Sequence, residues 1–387
     1  MKILFCNIFK SYNGDIIASK MKALGHDVIE KTYFTPEGKE QEDLLVEKVF
    51  SDIKSIDPEV IFTVNVWPAV AKACHDADRN YVAWSYDSPQ NLFDYEHLKY
   101  DTNHLYLFDR CECEMLRAKG LDTVYHMPLA VDTDKWDKVR KSDKGNDEEF
   151  DISFIGGLYE STLSSFAGAL SQYNQGYLQS MINVQQKIYG YYIIDDLLTD
   201  EVIRSFHDDF TKVKADFTPS KEQLSYSIAT QITHIERISL IKLLSDRYNF
   251  ALVTKDIKDE YKNILSTTNV FAPVPYGNPM SAIFKSSKIN LNPTLRIIRS
   301  GIPLRALDIL GSGGFLLSSY QSEYIDYFEP DRDICLYSSY EEALEKADFF
   351  IRHDDIRKKV ALNGYERVKA DFTYEDRIRI MLREQRE

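Results

Sequence analysis

The segment that decides the fold is NLNPTLRIIRSGIPLRALDILGSGGFLLSSY, residues 290–320. Its first residues end an apolar run that is typical of a buried strand, and Gly301 and Pro303 then mark a turn. Proline is tolerated in the first helical turn, so the leucine spacing after it predicts a short helix over residues 303–310. Glycines end this helix, and the apolar run from Phe315 begins another buried strand. The segment therefore predicts the strand–helix–strand pattern of an α/β domain.

The predicted helix has the features of an anion-binding site at its start. A helix N-terminus presents unpaired N–H groups and a partial positive charge, and both favour a bound phosphate. Arg299 and Arg305 lie on either side of this point, and guanidinium groups form charge-assisted bonds with phosphates. Asp308 follows on the same helix, where a carboxylate can accept hydrogen bonds from ribose hydroxyls. The pattern indicates a nucleotide-diphosphate site, or equally a helix–strand junction whose arginines are solvated or paired with Asp308.

The same segment resembles the donor-binding segment of GT-B glycosyltransferases, and most closely that of the CgeB-like proteins. The resemblance lies in GIPLR (residues 301–305), Asp308 and GGFLL (residues 313–317). In the retaining GT-B group two glutamates flank this helix, and the second binds the donor ribose. Their positions are occupied here by Ser300 and Asp308. The resemblance therefore implies donor contacts at both positions, with a serine where the group has its first carboxylate.

The composition indicates a globular protein of two ordinary-sized domains. The chain has 387 residues, of which 44% are hydrophobic and 13% aromatic, enough for two cores. Its formal net charge is −14 without a run rich in lysine and arginine, which argues against binding to nucleic acid or to an anionic membrane face. No apolar stretch is long enough to span a bilayer and the N-terminus lacks a cleavage signal, so we expect a cytoplasmic protein. Five scattered cysteines fit reduced thiols.

The N-terminus predicts a βαβ opening, with a strand over residues 2–9, a loop and then a helix from residue 16. The loop ends in NGD, and loops at the carboxyl ends of parallel strands bind ligands. With MKALGHDV after it, the loop resembles the opening of inverting GT-B enzymes, in which the aspartate after the glycine is the general base. The resemblance implies that Asp15 takes a proton from the acceptor and that Asn13 and Gly14 lie on the acceptor side. Alternatively Asp15 caps the helix, and both roles are compatible.

A second candidate base is Asp87, in the run WSYDSP that ends a predicted strand over residues 81–84. The W-x-x-D-x-P pattern resembles the N-terminal half of CgeB-like proteins, where it lies at the interdomain cleft. The resemblance implies that Asp87 accepts the proton or binds acceptor hydroxyls. The alternative is that Asp-Ser-Pro forms only a turn.

The second predicted domain begins with an apolar strand over residues 150–155, which ends in Gly156 and Gly157. Glycines there let the backbone approach a pyrophosphate closely, and the resembling family has a similar turn at this place. A later loop contains Tyr276, and loops at this place in nucleotide-binding domains contact the base. Gly156, Gly157 and Tyr276 therefore join the predicted donor residues.

The predicted domain boundaries follow from motifs and charge. PLAVD, residues 128–132, resembles the segment that closes the first GT-B domain, and the charged residues after it lack apolar periodicity. The predicted organisation is an acceptor domain (1–137), a linker (138–149), a nucleotide-sugar domain (150–372) and a C-terminal helix (373–387) that packs back on the first domain. The segment 160–227 is too long for a simple connection, so we expect it to fold as a helical insertion. The insertion would hold the acceptor or mediate self-association as a homo-oligomer.

The sequence thus predicts a glycosyltransferase with two Rossmann-like domains that face each other across a cleft. It would transfer a sugar from a nucleotide-diphosphate sugar to a hydroxyl of a glycan, protein or small molecule, with no cofactor besides this donor. Arg299 and Arg305 would stabilise the diphosphate leaving group, which can replace a metal ion. The D-x-D at residues 132–134 leads into a polar linker, so we assign it no metal. Two alternatives stay open: a nucleotide-sugar epimerase, and a two-lobed protein that binds a nucleotide or glycan without turnover.

Overall fold

Two parallel β-sheets, each flanked by helices, form the centres of the two units of the chain. The first unit comprises residues 1–132 and 369–387, and the second comprises residues 133–368. The structure, a computed structural model, describes residues 1–8, 12–90, 95–142, 148–215, 217–255 and 257–383. Among these residues no helix combines the length and the hydropathy needed to cross a membrane.

The strands and helices alternate along most of the chain. The strands are β1 (Lys2–Asn7), β2 (Asp27–Thr32), β3 (Val60–Val64), β4 (Asn80–Ser85), β5 (Asn103–Leu107), β6 (Val124–His126), β7 (Phe150–Ile155), β8 (Phe250–Val253), β9 (Asn269–Phe271), β10 (Ser287–Asn292), β11 (Leu316–Ser319) and β12 (Cys335–Tyr337). The helices are α1 (Tyr12–Ala23), α2 (Lys39–Ile56), α3 (Pro68–Ala77), α4 (Arg110–Ala118), α5 (Thr133–Ser142), α6 (Leu163–Ala167), α7 (Gln172–Gln185), α8 (Ile194–Leu197), α9 (Asp200–Lys212), α10 (Lys221–Ser245), α11 (Asp259–Ile264), α12 (Asn278–Lys285), α13 (Leu304–Gly311), α14 (Tyr324–Tyr327), α15 (Tyr340–Arg352), α16 (Asp354–Asp371) and α17 (Tyr374–Arg383). A 3₁₀ helix covers Glu96–Lys99.

Within the described residues the first sheet has six strands in the order β2-β1-β3-β4-β5-β6, and all neighbours are parallel. Ile61, Phe62 and Val82 have no exposed surface, as expected for strands covered on both faces by helices. The strand order places the carboxyl ends of β1, β3 and β4 next to one another. α17 packs against α1, and Lys20 Nζ lies 2.7 Å from Glu375 Oε1.

The second sheet, within the described residues, has six parallel strands in the order β12-β11-β10-β7-β8-β9. β7 and β10 are central neighbours, with Ile152 opposite Ile289. The buried side chain of Asn290 links them, because its Oδ1 accepts a hydrogen bond from Ser153 Oγ at 3.0 Å. The loops after β7 and β10 therefore emerge side by side in the middle of the sheet edge.

The predicted helical insertion is confirmed. α6, α7, α8, α9 and the first part of α10 enclose a hydrophobic core of their own, in which Phe206, Phe210 and Ile228 are buried. α10 is 25 residues long, and its second part covers the second sheet with Leu240 and Leu244. One helix therefore joins the core of the insertion to the core of the sheet.

α10 begins at Lys221, inside the segment 160–227 that is predicted as the insertion, and continues beyond the predicted end of that segment. Its start is fixed by a capping box, in which Ser220 and Gln223 each satisfy a backbone N–H of the first turn. The expected loop over residues 12–15 is likewise helical, because α1 begins at Tyr12. These are corrections to the sequence prediction.

The structure also divides the chain earlier than predicted. The first unit ends at Asp132, and α5 covers the start of the predicted linker at residues 138–149. Trp136 is 2% exposed, which anchors α5 in the second unit. Residues 143–147 of the predicted linker lie outside the described residues, as does Phe9 at the end of the predicted first strand.

Candidate functional site

Several of the predicted donor residues lie at the carboxyl edge of the second sheet. β7 is followed by Gly156 and Gly157, and the neighbouring β10 is followed by Pro293. Open parallel sheets bind ligands at this edge. A Cβ at Gly156 would lie 2.9 Å from the Phe154 ring, so packing favours glycine there. A Cβ at Gly157 would meet no atom within 4 Å in the described ranges. The space beside Gly157 is therefore open.

Arg237 of α10 joins the two loops at this edge. Its Nη1 donates a hydrogen bond to the Gly157 carbonyl, and its Nη2 donates to the Pro293 carbonyl at 2.6 Å. The guanidinium carbon lies 4.7 Å from the centre of the Tyr159 ring and 5.1 Å from that of Phe154. The side chain is thus fixed beside the glycine turn by carbonyl groups and aromatic faces.

The charge of Arg237 is buried without a matching carboxylate. The residue is 7% exposed, forms no ion pair within the described part of the chain, and its Nε has no hydrogen-bond partner there. Burial lowers the pKa of Arg237 to about 10, against the nearby Glu236 carboxylate, which raises it, so the group is still a cation at neutral pH. Buried charges are normally paired, so this cation is suited to an anionic ligand. No motif in the sequence marked Arg237 as a site residue.

α13 brings Arg305 and Asp308 together, and the loop before α12 adds Tyr276. Arg305 Nη1 lies 3.5 Å from Asp308 Oδ2 and also contacts the sulfur of Met280. The hydroxyl of Tyr276 donates to Asp308 Oδ1. Arg305 keeps 28% of its side chain exposed, whereas Asp308 keeps 1%. Arg305 therefore combines an anchoring contact with access to solvent.

The pKa of the Asp308 carboxyl group is raised by its burial and lowered by its neighbours. Burial raises its pKa to about 6, against the effects of the Arg305 charge, the Tyr276 hydrogen bond and the Lys135 charge, which all lower it. The group is therefore ionised at pH 7 and titrates at mildly acidic pH. Trp136 packs edge-on against Tyr276, with 6.0 Å between the ring centres. The predicted combination of Tyr276, Arg305 and Asp308 thus forms one cluster.

Two other predicted donor residues are held by different parts of the second unit. Arg299 Nε and Nη2 donate to Asp195 Oδ2 of α8 at 3.0 and 2.5 Å. Ser300 is 2% exposed, and its hydroxyl donates to Glu323 Oε1 at 2.7 Å. Both side chains therefore have structural partners, Arg299 in the insertion and Ser300 beside α14.

In the first unit, Asp87 lies just beyond β4 and is held by Asn65. Asn65 follows β3 with φ of 61°, a left-handed conformation that asparagine tolerates. Its Nδ2 donates to Asp87 Oδ2 at 2.6 Å, and its Oδ1 accepts from the Tyr86 backbone N–H at 2.8 Å. Asp87 reaches solvent, yet partial burial raises the pKa of its carboxylate, against the lowering effect of the Asn65 hydrogen bond. An oriented, solvent-accessible carboxylate of this kind can accept a proton or bind a hydroxyl.

The other predicted acceptor-side residues lie at the start of α1. Asp15 is exposed in the first turn of the helix, so the alternative that it caps the helix is wrong. Asn13 is half-buried and Gly14 is buried in the same turn. Because β1 lies beside β3, this helix start and the Asn65–Asp87 pair share the carboxyl edge of the first sheet.

Comparisons with known proteins agree with this architecture. A profile of the Glycosyl transferase-like family matches residues 237–383, a range that includes Arg237, α13 and α17. Comparison with curated proteins gives no match. In the described ranges no group of three or more histidine, cysteine, aspartate or glutamate side chains is placed to hold a metal ion.

Solved structures of similar fold cover the whole chain. A glycosyltransferase from Rickettsia africae has a TM-score of 0.58 at 11% identity, with 100% of this chain and 97% of that chain covered. HepE from Anabaena in complex with UDP has a TM-score of 0.57 at 12% identity, with 99% and 100% covered. A trehalose-6-phosphate structure from E. coli with bound UDP-2-fluoro glucose has a TM-score of 0.59 at 7% identity, with 100% and 99% covered. These likenesses confirm the predicted fold class of two Rossmann-like domains, while the CgeB-like subgroup stays a prediction. Residues 237–383 are therefore similar to the Glycosyl transferase-like family, and the whole chain has the two-domain fold of these structures.

Proposed function

We propose that the chain transfers a sugar from a nucleotide-diphosphate sugar to a hydroxyl group of an acceptor. The observation that carries this proposal is the buried guanidinium of Arg237, which pairs with no carboxylate among the described residues and lies beside an open glycine turn. A fixed cation at the carboxyl edge of a parallel sheet favours an anionic ligand such as a diphosphate.

The donor would be bound by the second unit. Arg237 and Arg305 would contact the diphosphate, which passes close to Gly156 and Gly157, and Asp308 would accept hydrogen bonds from the ribose hydroxyls. Tyr276, which already donates to Asp308 and packs against Trp136, would lie on the side of the base. UDP is the first nucleotide to test, because two structures of similar fold contain UDP or a UDP sugar. Arg299 and Ser300 would act indirectly, because their hydrogen bonds to Asp195 and Glu323 stabilise the second unit.

The chemistry needs positive charge that stabilises the leaving diphosphate and a proton acceptor for the acceptor hydroxyl. When the sugar leaves, negative charge builds on the diphosphate, and Arg237 and Arg305 would stabilise it without a metal ion. The acceptor hydroxyl would lose its proton to Asp87, which Asn65 orients. Asp15, exposed at the same sheet edge, is the second candidate for this role.

Gly157 provides a test of where the diphosphate lies. A methyl group in Gly157→Ala meets no atom of the described residues within 4 Å, and the φ of Gly157 is not in the left-handed region, so we expect an unchanged Tm. If the diphosphate passes there, the methyl group crowds it, and UDP affinity should fall about tenfold by calorimetry. Gly168→Ala is the matched control, because its Cβ also meets nothing within 4 Å. Equal UDP affinities for both variants and the unmodified chain would place the diphosphate elsewhere.

Asp308 should make donor binding sensitive to pH. Its pKa of about 6 means that the carboxylate accepts ribose hydrogen bonds at pH 7 but is mostly protonated at pH 5. UDP-glucose affinity should therefore fall about tenfold between pH 7 and pH 5, since one pH unit below the pKa leaves about a tenth of the group ionised. In Asp308→Asn the affinity should be lower at pH 7 and nearly constant over this range. A chain with a pH-independent affinity, or a variant with the full pH dependence, would remove Asp308 from the ribose site.

The proposed function is tested in two steps. A thermal-shift screen of nucleoside diphosphates identifies the base, and nucleotide release from the matching sugar donor is then measured with and without candidate acceptors. A transferase releases nucleotide faster when the acceptor is present. An epimerase changes the sugar without net loss of the donor, and a binding protein shows a thermal shift without turnover. Either of these last two results would contradict the proposal.

A further inference from the structure

The insertion contains a long run of sequence without a charged residue. Residues 161–186 include no aspartate, glutamate, lysine, arginine or histidine, although 28% of the residues of the chain are charged. α7 lies entirely within this run and is 14 residues long. Helices on the surface of a protein normally present charged side chains to water. The exposed side of α7 is therefore a neutral surface on a chain whose net charge is −14.

α7 buries one side in the core of the insertion and exposes the other. Its buried side chains include Leu178, Met181 and Ile182. Its exposed residues recur at helical spacing and form two adjacent rows along the helix. One row consists of Gln172, Gln175, Gln179 and Asn183, and the other of Tyr173, Gly176, Ser180 and Val184. These eight residues together are called the uncharged face.

The side chains of the uncharged face have groups that can bind a sugar. Tyr173 is 80% exposed, so its ring is accessible to a ligand. Gln179 Nε2 donates to Asn183 Oδ1 at 2.9 Å, which orients the two amides. Within the described residues this pairing leaves Gln179 Oε1 as an acceptor and Asn183 Nδ2 as a donor. The face therefore combines an aromatic ring, on which the C–H groups of a sugar can pack, with amides that can bond its hydroxyls.

Gly176 is an independent indication that a ligand approaches this face. It lies inside α7, where glycine is less favourable for stability than alanine. Apart from the backbone of α7 itself, a Cβ at Gly176 would meet no described atom within 4 Å, and its φ is not in the left-handed region. Neither packing nor backbone conformation therefore requires glycine here. A glycine at this position does let a ligand reach the helix backbone between Tyr173 and Ser180.

We propose that the uncharged face binds a neutral glycan and that this glycan is the acceptor of the sugar. A neutral ligand fits best, because an acidic or basic partner would find no complementary charge on this face. A second copy of the chain fits less well, since homodimer interfaces are rich in apolar residues and five of these eight are amides or serine.

The acceptor role rests on the proposed function, whereas the binding of the glycan does not. In the transfer, a hydroxyl oxygen of the glycan forms the new bond to the sugar carbon. The bond from that carbon to the diphosphate breaks, and the hydroxyl proton passes to the general base.

The probe is a printed array of neutral and acidic oligosaccharides, followed by calorimetry with the neutral oligosaccharide that gives the strongest signal. Tyr173→Ala removes the exposed ring and should lower the affinity for this oligosaccharide about tenfold. Phe349→Ala is the control, because Phe349 is an exposed aromatic residue on the charged helix α15, and its affinity should be unchanged.

Gly176→Ala separates a binding role from a structural one. Alanine is the better helix former, so the Tm should rise by about 1–3 °C. The added methyl group occupies the space next to the backbone, so the affinity for the same oligosaccharide should fall about tenfold. A purely structural role would not lower the affinity of a more stable protein.

Each outcome decides one part of the proposal. The glycan site is overturned if the array shows no neutral oligosaccharide bound, or if Tyr173→Ala and Gly176→Ala bind as tightly as the unmodified chain. Dimerisation in ultracentrifugation that Tyr173→Ala abolishes would assign the face to a second copy instead. An oligosaccharide that binds this face without accelerating nucleotide release from the donor overturns the acceptor role. If the chain binds no nucleotide, the proposed function fails on its own, while the array and calorimetry still decide the glycan site.

Discussion

Replacement of Arg237 by methionine should lower UDP affinity by about 100-fold to 1,000-fold, since it removes charge-assisted bonds worth roughly 1.5–3 kcal/mol each. The stability of the fold should change little. Methionine has a similar length and is apolar, and the substitution removes a buried charge that no carboxylate pairs with in the part of the chain that the structure describes. The carbonyls of Gly157 and Pro293 lose their donors, which offsets part of this gain.

The measurement is calorimetric UDP binding together with urea unfolding. Arg296→Met is the contrasting control, because Arg296 is also buried but pairs with Glu236 at 2.7 Å. Its loss leaves the Glu236 carboxylate without this partner in the core, and should lower the free energy of unfolding by about 3–5 kcal/mol. If Arg237→Met binds UDP as tightly as the unmodified chain, Arg237 is not a donor-binding residue.

The second large effect is expected in the first unit. Asp87→Asn should leave UDP affinity unchanged and lower kcat by about 100-fold to 10,000-fold, the usual contribution of a general base. Asp87 must be ionised to accept a proton, so activity should fall as the pH decreases through its raised pKa. In Asp87→Asn this acidic limb of the pH profile should disappear.

Asp15→Asn serves as the comparison, because Asp15 is exposed at the same sheet edge but lies within the first turn of α1. We expect a smaller loss of kcat for this variant. Full turnover by Asp87→Asn together with an inactive Asp15→Asn would exchange the two roles, and full turnover by both would remove the general base from the proposal.

Much of the fold follows from local patterns in the sequence. Residues 150–155 and 81–84 were predicted as strands and lie in β7 and β4, because buried parallel strands are continuous apolar runs with clear ends. α13 was predicted to within one residue of its ends, since Pro303 and a glycine-rich run bound it. The start of α10 at Lys221 was not predicted, although Ser220 and Gln223 form a capping box, which is a recognisable sequence pattern.

Only part of the candidate site can be predicted from the sequence. Asp308 and Arg305 are three positions apart on one helix, so their proximity is local and was predictable. Arg237 reaches the site because α10 crosses the loops after β7 and β10, and such tertiary contacts leave no spacing pattern. Arg299 pairs with Asp195 of the insertion, and helical spacing alone does not tell which side of the turn an arginine faces.

A crystal structure of the chain with bound UDP tests the central claim most directly. We expect the diphosphate oxygens within hydrogen-bonding distance of Arg237 Nε and of the Arg305 guanidinium, and the ribose hydroxyls on the Asp308 carboxylate. UDP bound away from the carboxyl edge of the second sheet, with Arg237 contacting only the carbonyls of Gly157 and Pro293, would contradict the proposed donor site.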